Sequence, residues 1–470
     1  MSSRFLPEKF RKLELHERQQ QLRQTYSPDP EEWSAVSDGG DLDELSRVMV
    51  ESSIGSLPVP LGIAAGFLID GRRVDIPMAV EEPSVIAAAG FAAKILRQGG
   101  GLHTWATEPV MIAQVFLENA PAEAEQRLRR EQQRIGKLVD QAQPGMKKRG
   151  GGFRGLELTR LEESGILAVD VRFDVRDAMG ANALNTAAEA IRPELERLSR
   201  GRAVMCILSN ASRERRAGAR FSLPVSKLAA LAREGITGDE VARRIALASE
   251  IADQNEQRAI THNKGIMNGI SALVLATMND TRAVEAGAHA WAAHSGRYRP
   301  LSRFRLLDPG AAPGAALASG LSSAPGETDA TGTSTASVST KPEQILEGEI
   351  ELPLAVGSVG GAVGFHPAGR LAMRVLGFPD ARTLSRIAAA LGLAQNFAAV
   401  LALVTGGIQR GHMKLHAGRL AFLAGARGEE VRRVAEAVAA SVTASAAGVE
   451  RFNLKQAEDA LRRLREEQLS

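Results

Sequence analysis

The sequence has a single cysteine, Cys206, among its 470 residues. One cysteine excludes an intrachain disulfide and any metal site built from several thiolates. It also points to a reducing compartment, and we expect the protein to be cytoplasmic. Aromatic residues are scarce as well, at 4% of the chain, whereas Gly and Ala are abundant. This composition favours closely packed helices over a β-sandwich built on aromatic pairs.

The chain also lacks a large excess of charge, because 58 Lys and Arg oppose 55 Asp and Glu, for a net charge of +3. Basic residues are not clustered with interleaved aromatics, so we expect no nucleic-acid partner. The first residues contain no apolar stretch that could serve as a signal peptide. The longest uncharged run near the C-terminus, residues 387–404, is interrupted by Gln395 and Asn396. We therefore predict a buried helix there and no membrane association.

Residues 309–340 differ from the sequence around them, because 27 of these 32 residues are Ala, Gly, Pro, Ser or Thr. Such a segment has too little apolar surface to offset the entropy lost on ordering, so we predict a disordered insertion. Strand-like sequence on both sides indicates that it interrupts a domain. We predict a large domain at residues 1–109 and 211–408, a small domain at 110–210 and a helical C-terminal domain at 409–470.

Residues 110–210 have a pattern of their own. Strand-like MIAQVFLE leads into a charged helical stretch, and two further strand-like segments follow. A second helix, from about Asn182 to Ser199, then precedes a last strand, AVMCILS. Strands with two intervening helices indicate a compact α+β module inserted into the larger domain. The fold class that we predict is therefore α+β, with a large helix-rich domain.

Two glycine-containing segments are candidates for a dinucleotide site. GGGFRG at Gly150–Gly155 matches the pattern GxGxxG, but a polar segment precedes it and a strand-like segment follows it, unlike a Rossmann fingerprint. DAMGAN at Asp177–Asn182 is the better candidate, because a strand leads into it and a helix leaves it. Gly180 allows close backbone approach, and the helix start offers free N–H groups to a pyrophosphate. The same geometry is also common at turns that bind nothing.

Several charged residues have both a functional and a purely structural interpretation. Glu81 and Glu82 lie between a strand and an apolar helix, where carboxylates either complement the helix dipole or transfer protons. Lys264 lies in a segment that we predict to be a short polar turn, and it is either a solvated surface group or a fixed cation for an oxyanion. Asp280 ends the following apolar stretch and can cap the next helix.

His412 and His416 have the i, i+4 spacing that places two side chains on one helix face. No Glu follows the first His as in the zinc motif HExxH, and no third ligand is evident. We therefore expect no metal, and we interpret the pair as a proton-transfer residue or as packing.

Six motifs follow one another in an order that is distinctive. They are EEPS at Glu81–Ser84, DAMGAN at Asp177–Asn182, THNKGIMNGI at Thr261–Ile270, NDTRAVEAGAHAW at Asn279–Trp291, GLAQN at Gly392–Asn396 and GIQRGHMKLHA at Gly407–Ala417. Together they closely resemble the bacterial class II 3-hydroxy-3-methylglutaryl-coenzyme A (HMG-CoA) reductases. The resemblance covers nearly the whole chain apart from the insertion and the extreme termini.

The resemblance implies interconversion of (S)-HMG-CoA and (R)-mevalonate plus coenzyme A, by two successive hydride transfers from NADPH or NADH and without a metal. It makes Lys264 the cation that stabilises the oxyanion and Glu82 the proton donor. Asp280 would organise these two residues, and His412 would protonate the coenzyme A thiolate. A mobile C-terminal flap carries this histidine in the family and suits an exchange of cofactor between the two hydride transfers.

The same resemblance implies the binding residues. Those for the cofactor lie in a small domain that is not a Rossmann fold, and they are Asp177, Met179, Gly180, Ala181 and Asn182. Those for the substrate are Ser84, Arg258 and Asn268. Family members form tight homodimers with active sites at the subunit interface, often assembled further into hexamers, and the soluble bacterial type has no membrane anchor.

The chain departs from the family at two places besides the insertion. The early motif ENxIG reads ESSIG at Glu51–Gly55, so Ser52 replaces an Asn that contacts substrate or coenzyme A. NADH-preferring relatives can carry an acid where this chain has Gln143, and Lys147, Lys148 and Arg149 follow. This favours NADPH or dual use. The rival interpretation is a non-catalytic acyl-CoA-binding regulatory homologue, which the presence of all four catalytic residue types argues against.

Overall fold

The structure is a computed structural model that describes residues 5–231, 236–309, 343–405, 417–443 and 453–469. The predicted insertion, apart from Pro309, lies outside the described residues, and so do His412 and His416. The strands are β1 (Leu61–Ile69), β2 (Arg72–Ala79), β3 (His103–Ala106), β4 (Val110–Glu118), β5 (Gly152–Arg160), β6 (Leu167–Asp174), β7 (Arg202–Ser209), β8 (Arg216–Pro224), β9 (Ser302–Leu307) and β10 (Ile345–Pro353).

The helices outnumber the strands. They are α1 (Leu15–Tyr26), α2 (Pro30–Ser37), α3 (Leu42–Met49), α4 (Val85–Leu96), α5 (Ala124–Arg130), α6 (Gln132–Ala142), α7 (Pro144–Lys148), α8 (Ala181–Ser199), α9 (Gly238–Gln254), α10 (Glu256–Ala276), α11 (Thr281–Ala292), α12 (Gly361–Phe365), α13 (Pro367–Val375), α14 (Ala381–Thr405) and the C-terminal helices Glu429–Thr443 and Leu454–Leu469. The predicted α+β class is confirmed.

The largest hydrophobic core joins the β1–β2 hairpin and the sheet β3-β8-β10-β9 to helices α4, α9, α10 and α14. Helix α14 contains the uncharged run noted in the sequence. By length and composition it could cross a membrane, but 78% of its most apolar window is buried inside the protein. Its apolar surface is therefore used by the core, as predicted.

Helices α10 and α14 approach each other closely at glycines. A Cβ on Gly269 would lie 2.9 Å from the Cβ of Gln395, and a Cβ on Gly392 would lie 2.7 Å from Cδ1 of Ile270. Neither distance leaves room for a methyl group. The abundant small residues of this chain thus set the separation of its two longest helices.

The small unit is a four-stranded sheet in the order β5-β6-β4-β7, in which every neighbouring pair is antiparallel. With its intervening helices the chain order is β-α-β-β-α-β, the ferredoxin-like arrangement, and its core is formed by a separate set of residues. A Rossmann fold needs a mostly parallel sheet. Gly150 and Gly151 of GGGFRG lie in the turn between α7 and β5, and Gly152 and Gly155 lie in β5 itself, in agreement with the sequence argument against a Rossmann fingerprint.

The segment that we predict to be an insertion connects two neighbouring strands. Strands β9 and β10 are antiparallel partners, and their last paired residues before the connection are Leu307 and Ile345. The two ends of the segment are therefore held together by the sheet itself.

We predict that replacing residues 310–342 by a short Asn-Gly linker leaves the fold and turnover intact, because the paired strand ends already lie side by side. Shortening a flexible loop changes its closure free energy by only about 0.6 kcal/mol per halving of length. Thermal unfolding and steady-state turnover of the shortened and full-length proteins check this. A large fall in activity, or a change of assembly in sedimentation, would show that the segment is not passive.

Candidate active site

Lys264 projects from the interior of a long helix. The sequence predicts a polar turn at this position, and that prediction is wrong: α10 runs unbroken through it from Glu256 to Ala276. Asn255 caps the helix by accepting a hydrogen bond from the Arg258 amide at 2.9 Å. The turn-forming neighbours of Lys264 are used in tertiary packing instead, since Asn263 donates to the Arg299 carbonyl at 2.9 Å and accepts from the Leu301 amide at 2.8 Å.

A buried polar network fixes α10 next to Lys264. His262 Nε2 and Ser302 Oγ lie 2.8 Å apart, and Ser302 donates to Asn396 Oδ1 at 2.9 Å. Asn396 Nδ2 donates to the His262 carbonyl at 3.0 Å. Burial lowers the pKa of His262 to about 3, helped by the positive charge of Arg258. The ring is therefore neutral, and because Ser302 has only one proton to give, His262 Nε2 is the donor of its hydrogen bond.

Glu82 meets Lys264 from a different element. It lies in the turn between β2 and α4, and its Oε2 is 3.1 Å from Lys264 Nζ. The two side chains are 38% and 62% exposed, respectively, in this single chain. The contact joins residues 182 positions apart and leaves both groups accessible to a ligand.

Three polar side chains close to Glu82 or Lys264 in the sequence have no hydrogen-bond partner among the described residues. Ser84 is the N-cap of α4 in a left-handed conformation, with φ at 78°, and its buried hydroxyl has no hydrogen-bond partner among the described residues. The side chains of Arg258 and Asn268 are half-buried and form no hydrogen bond or ion pair with any described residue. Burial lowers the pKa of Arg258. Unpaired buried polar groups are costly, and a polar ligand would satisfy them.

Asp280 acts as a helix cap in the structure. Its carboxylate accepts hydrogen bonds from the amides of Arg282 at 3.0 Å and Ala283 at 3.1 Å, at the start of α11. Within the described part of the chain it forms no hydrogen bond with Lys264 or Glu82. The structural interpretation of Asp280 is therefore observed, and its organising role stays a prediction.

The DAMGAN segment forms the turn from β6 into α8. Gly180 is the N-cap of α8 with φ at 102°, and a Cβ there would lie 2.4 Å from Cγ1 of Val175. No side chain in the described part of the chain caps this helix, so its first N–H groups are open to an anion. The Asp177 carboxylate is engaged elsewhere, because it accepts from the Ala381 amide at the start of α14 at 3.1 Å. Asn182 is exposed.

Two contacts near Lys264 and Glu82 were not predicted from the sequence. Asn396 was noted as an interruption of the uncharged run and as part of the GLAQN motif, but its amide in the middle of an apolar helix was not interpreted as a link to α10. Arg419 follows the GHMKLHA motif, and its Nη2 lies 3.5 Å from the Glu81 carbonyl. The helical segment at residues 417–423, which contains Arg419, thus touches the turn that carries Glu82.

Known proteins match this chain over most of its length. A family profile described as hydroxymethylglutaryl-coenzyme A reductase matches residues 14–417. The chain is 41% identical over 432 residues to the 3-hydroxy-3-methylglutaryl-coenzyme A reductase of Archaeoglobus fulgidus, covering 91% of this chain and 89% of that protein. The chain belongs to the hydroxymethylglutaryl-coenzyme A reductase family. It is therefore an oxidoreductase, and the predicted resemblance is confirmed.

Solved structures of this family agree over nearly the full length. The HMG-CoA reductase of Streptococcus pneumoniae matches with a TM-score of 0.74 at 36% identity, covering 97% of this chain and 99% of that chain. The class II enzyme from the same organism, bound to NADPH in open conformations, matches with a TM-score of 0.73 at 36% identity, covering 96% and 100%. Among the described residues, no group of three His, Cys, Asp or Glu side chains could hold a metal ion.

We predict that acidification destabilises this member of the reductase family through His262. Its pKa is about 3 in the folded protein and about 6.5 when unfolded, so only the unfolded state gains the proton between these values. The stability is fully present above about pH 6.5 and falls by at most about 1.4 kcal/mol per pH unit below it. Urea unfolding at about pH 7 and about pH 5 measures this loss, which His262→Gln should reduce.

The matched control is His103→Gln, because His103 is exposed on β3. The free energy of unfolding of His103→Gln should therefore show the same pH dependence as that of the wild type. An equal pH dependence in the wild type and in His262→Gln would contradict the burial argument.

Proposed function

We propose that this protein interconverts (S)-HMG-CoA and (R)-mevalonate plus coenzyme A in two NAD(P)H-dependent hydride transfers, through mevaldyl-CoA and mevaldehyde. The contact of 3.1 Å between Lys264 and Glu82 carries the proposal. It pairs an ammonium with a carboxyl group, and the unsatisfied hydroxyl of Ser84 lies two residues after Glu82 in the same turn. A reaction that creates an alkoxide and then needs a proton uses both kinds of group.

Lys264 and Glu82 divide this chemistry between them. When hydride reaches the thioester carbon, the carbonyl oxygen becomes an oxyanion, and the ammonium of Lys264 stabilises it. Glu82 then supplies the proton for the alcohol formed in the second reduction. Arg258 has no ion pair with any described carboxylate and suits the free carboxylate of the hydroxymethylglutaryl group, with Ser84 and Asn268 as hydrogen-bond partners.

The residues of the small unit fit a dinucleotide. The bound cofactor supplies the hydride. The open N-terminus of α8 suits a closely held pyrophosphate, with Met179 and Ala181 on either side of the N-cap Gly180. The glycine itself is required by packing, because a Cβ there would meet Val175. Near it, Arg176 Nη2 donates to the Gly150 carbonyl at 2.5 Å, which ties the glycine turn to DAMGAN.

Two cations that directly precede the glycine turn, Lys148 and Arg149, favour NADPH over NADH. Lys147 is paired with Asp140 at 2.6 Å, but Lys148 and Arg149 form no ion pair with any residue that the structure describes. They are exposed and available to a 2′-phosphate. A preference for NADPH, or use of both cofactors, follows from this charge pattern.

His412 completes the proposed machinery as the acid that protonates the leaving coenzyme A thiolate. A thiol has a pKa of about 8.5, so an imidazole is a suitable donor near neutrality. The contact of Arg419 with the Glu81 carbonyl brings the segment that follows His412 to the turn that carries Glu82. His412 precedes Arg419 by seven positions, and such a segment spans at most about 25 Å.

A homodimer with interfacial active sites fits the surface of the single chain. The segment around ESSIG exposes a row of large apolar side chains, namely Val48, Met49, Val50, Ile54 and Leu57. Exposed large apolar side chains grouped within ten residues of the sequence are typical of an interaction site. With active sites at the subunit interface, as the family resemblance implies, the partner would also shield Lys264 and Glu82 from water, which strengthens their electrostatic interactions.

The deciding experiment follows nicotinamide absorbance with HMG-CoA, separately with NADPH and NADH. Oxidation of either cofactor supports the reductase. The alternative, a non-catalytic acyl-CoA-binding regulator, predicts that coenzyme A thioesters bind without oxidation. A folded protein that oxidises neither cofactor, and does not reduce NADP⁺ or NAD⁺ with mevalonate and coenzyme A, would reject the enzyme.

We predict that Lys264→Ala lowers turnover by about a hundredfold or more, the loss typical of a missing oxyanion stabiliser. The side chain is largely exposed, so the fold should survive, and thermal unfolding checks this. Lys227→Ala is the control, because Lys227 is exposed and makes no ion pair among the described residues. Equal turnover in the two variants would remove Lys264 from the reaction.

We also predict that His412→Gln slows reduction of HMG-CoA about a hundredfold but spares reduction of free mevaldehyde. Mevaldehyde has no thiolate to expel, so it needs no acid at that step. Parallel assays with the two substrates measure the difference. Equal loss of both activities would contradict the role proposed for His412.

A further inference from the structure

Arg215 is a buried cation without an acidic partner in contact. It lies in the connection between β7 and β8, where the chain returns from the small unit to the large one, and it is 5% exposed. No carboxylate of the described residues forms an ion pair with it. Burial lowers its pKa to about 10, against the opposing influence of Asp174 and Asp177, so it remains charged at neutral pH. A buried charge is costly unless its hydrogen bonds are satisfied.

The guanidinium is satisfied largely by the turn that we propose for the dinucleotide. Its Nη1 donates to the carbonyls of Ala178 at 3.2 Å and Met179 at 3.0 Å, and it also lies 3.3 Å from Met111 Sδ. These two carbonyls belong to successive peptides of DAMGAN. One side chain thus holds the backbone of the turn at two points.

Fixing these carbonyls also fixes the N–H groups opposite them. In a trans peptide the C=O and N–H bonds point in opposite directions. Since the carbonyls of Ala178 and Met179 face Arg215, the N–H groups of Met179 and Gly180 face away from it. These two peptides directly precede α8, whose N-terminus is open.

A second arm of Arg215 reaches the large unit. Nη2 donates to the Val356 carbonyl, and the next amide, Gly357 N–H, donates to Asn279 Oδ1 at 2.7 Å. Asn279 directly precedes Asp280. Gly357 also packs on the turn itself, because a Cβ there would lie 2.5 Å from the Met179 nitrogen. The Arg215 side chain therefore connects the DAMGAN turn to the loop that precedes α11.

We propose that Arg215 is a positioning residue that holds the DAMGAN turn in the conformation that binds the dinucleotide and in register with Asp280. The proposal rests on the proposed function, because it takes DAMGAN as the cofactor turn. Arg215 acts through the backbone and touches no reacting atom. Its loss should impair dinucleotide binding more than thioester binding.

The chain offers a matched control at the other end of the same helix. Arg127 Nε and Nη2 donate to the carbonyls of Leu198 and Ser199, at 2.8 and 2.9 Å, where α8 ends. It is also an arginine bonded to two successive carbonyls. A purely structural contribution of such a residue should appear equally in variants of either arginine.

The experiment measures NADPH dissociation constants by nicotinamide fluorescence, the KM for HMG-CoA, kcat and thermal unfolding. Variants are Arg215→Met, Arg215→Lys, Arg127→Met and Arg127→Lys in the full chain. We expect Arg215→Met to weaken NADPH binding about tenfold or more and Arg215→Lys to recover part of it, since lysine keeps the charge but loses the fork geometry. The KM for HMG-CoA should change less than about threefold, and both Arg127 variants should bind NADPH like the wild type.

If Arg215→Met does not fold, a second variant, Gly357→Ala, tests the proposal. Gly357→Ala pushes on Met179 and leaves Arg215 in place, so it should also weaken NADPH binding. A folded Arg215→Lys and a folded Gly357→Ala that both bind NADPH like the wild type would overturn the proposal. Losses that are equal in the Arg215 and Arg127 variants would overturn it too.

NADPH binding and turnover by the wild type distinguish failure of this proposal from failure of the proposed function. A wild type that binds NADPH but does not turn over HMG-CoA rejects the function, while the variants still decide the role of Arg215. A folded wild type that binds neither NADPH nor NADH overturns both the proposed function and the role of Arg215.

Discussion

The close approach of α10 to α14 is the constraint on which the site depends. Glycines at the contact allow the helices to pack where a methyl group would not fit, and the His262–Ser302–Asn396 network locks their register. Lys264 is carried by α10, whereas Glu82 comes from the turn between β2 and α4. Their contact therefore depends on how the core places α10. Displacing a catalytic group by about 1 Å can cost about a hundredfold in rate, so packing remote from the chemistry controls it.

Two unsatisfied polar groups lie near the Lys264–Glu82 ion pair in the sequence. Ser84 has no hydrogen-bond partner and Arg258 has no ion pair among the described residues, yet both are partly buried. Each such group costs free energy in the ligand-free chain, and a bound ligand would recover it. With a net charge of only +3, the attraction for phosphates must come from local groups such as Lys148, Arg149 and the start of α8.

Much of the fold follows from local sequence, and the errors have tertiary causes. MIAQVFLE is found as β4, and the second predicted helix of the small unit as α8, because alternation and helical periodicity are local signals. The sequence predicts a turn at Lys264 because Asn263 and Gly265 are turn formers. Their actual partners, on the 299–301 segment and on α14, are distant in sequence. Arg215 gives no sequence signal for the same reason, since its partners lie between 36 and 141 residues away.

The central claim is that Lys264 and Glu82 act as one unit, and a double-mutant cycle on turnover tests it most directly. The cycle compares Lys264→Ala, Glu82→Gln and the double variant, with HMG-CoA and NADPH. Residues that act together give non-additive losses, so the double variant should lose little more than the worse single variant. Losses that multiply would show that the two residues act independently, and would contradict the coupling that we infer from their 3.1 Å contact.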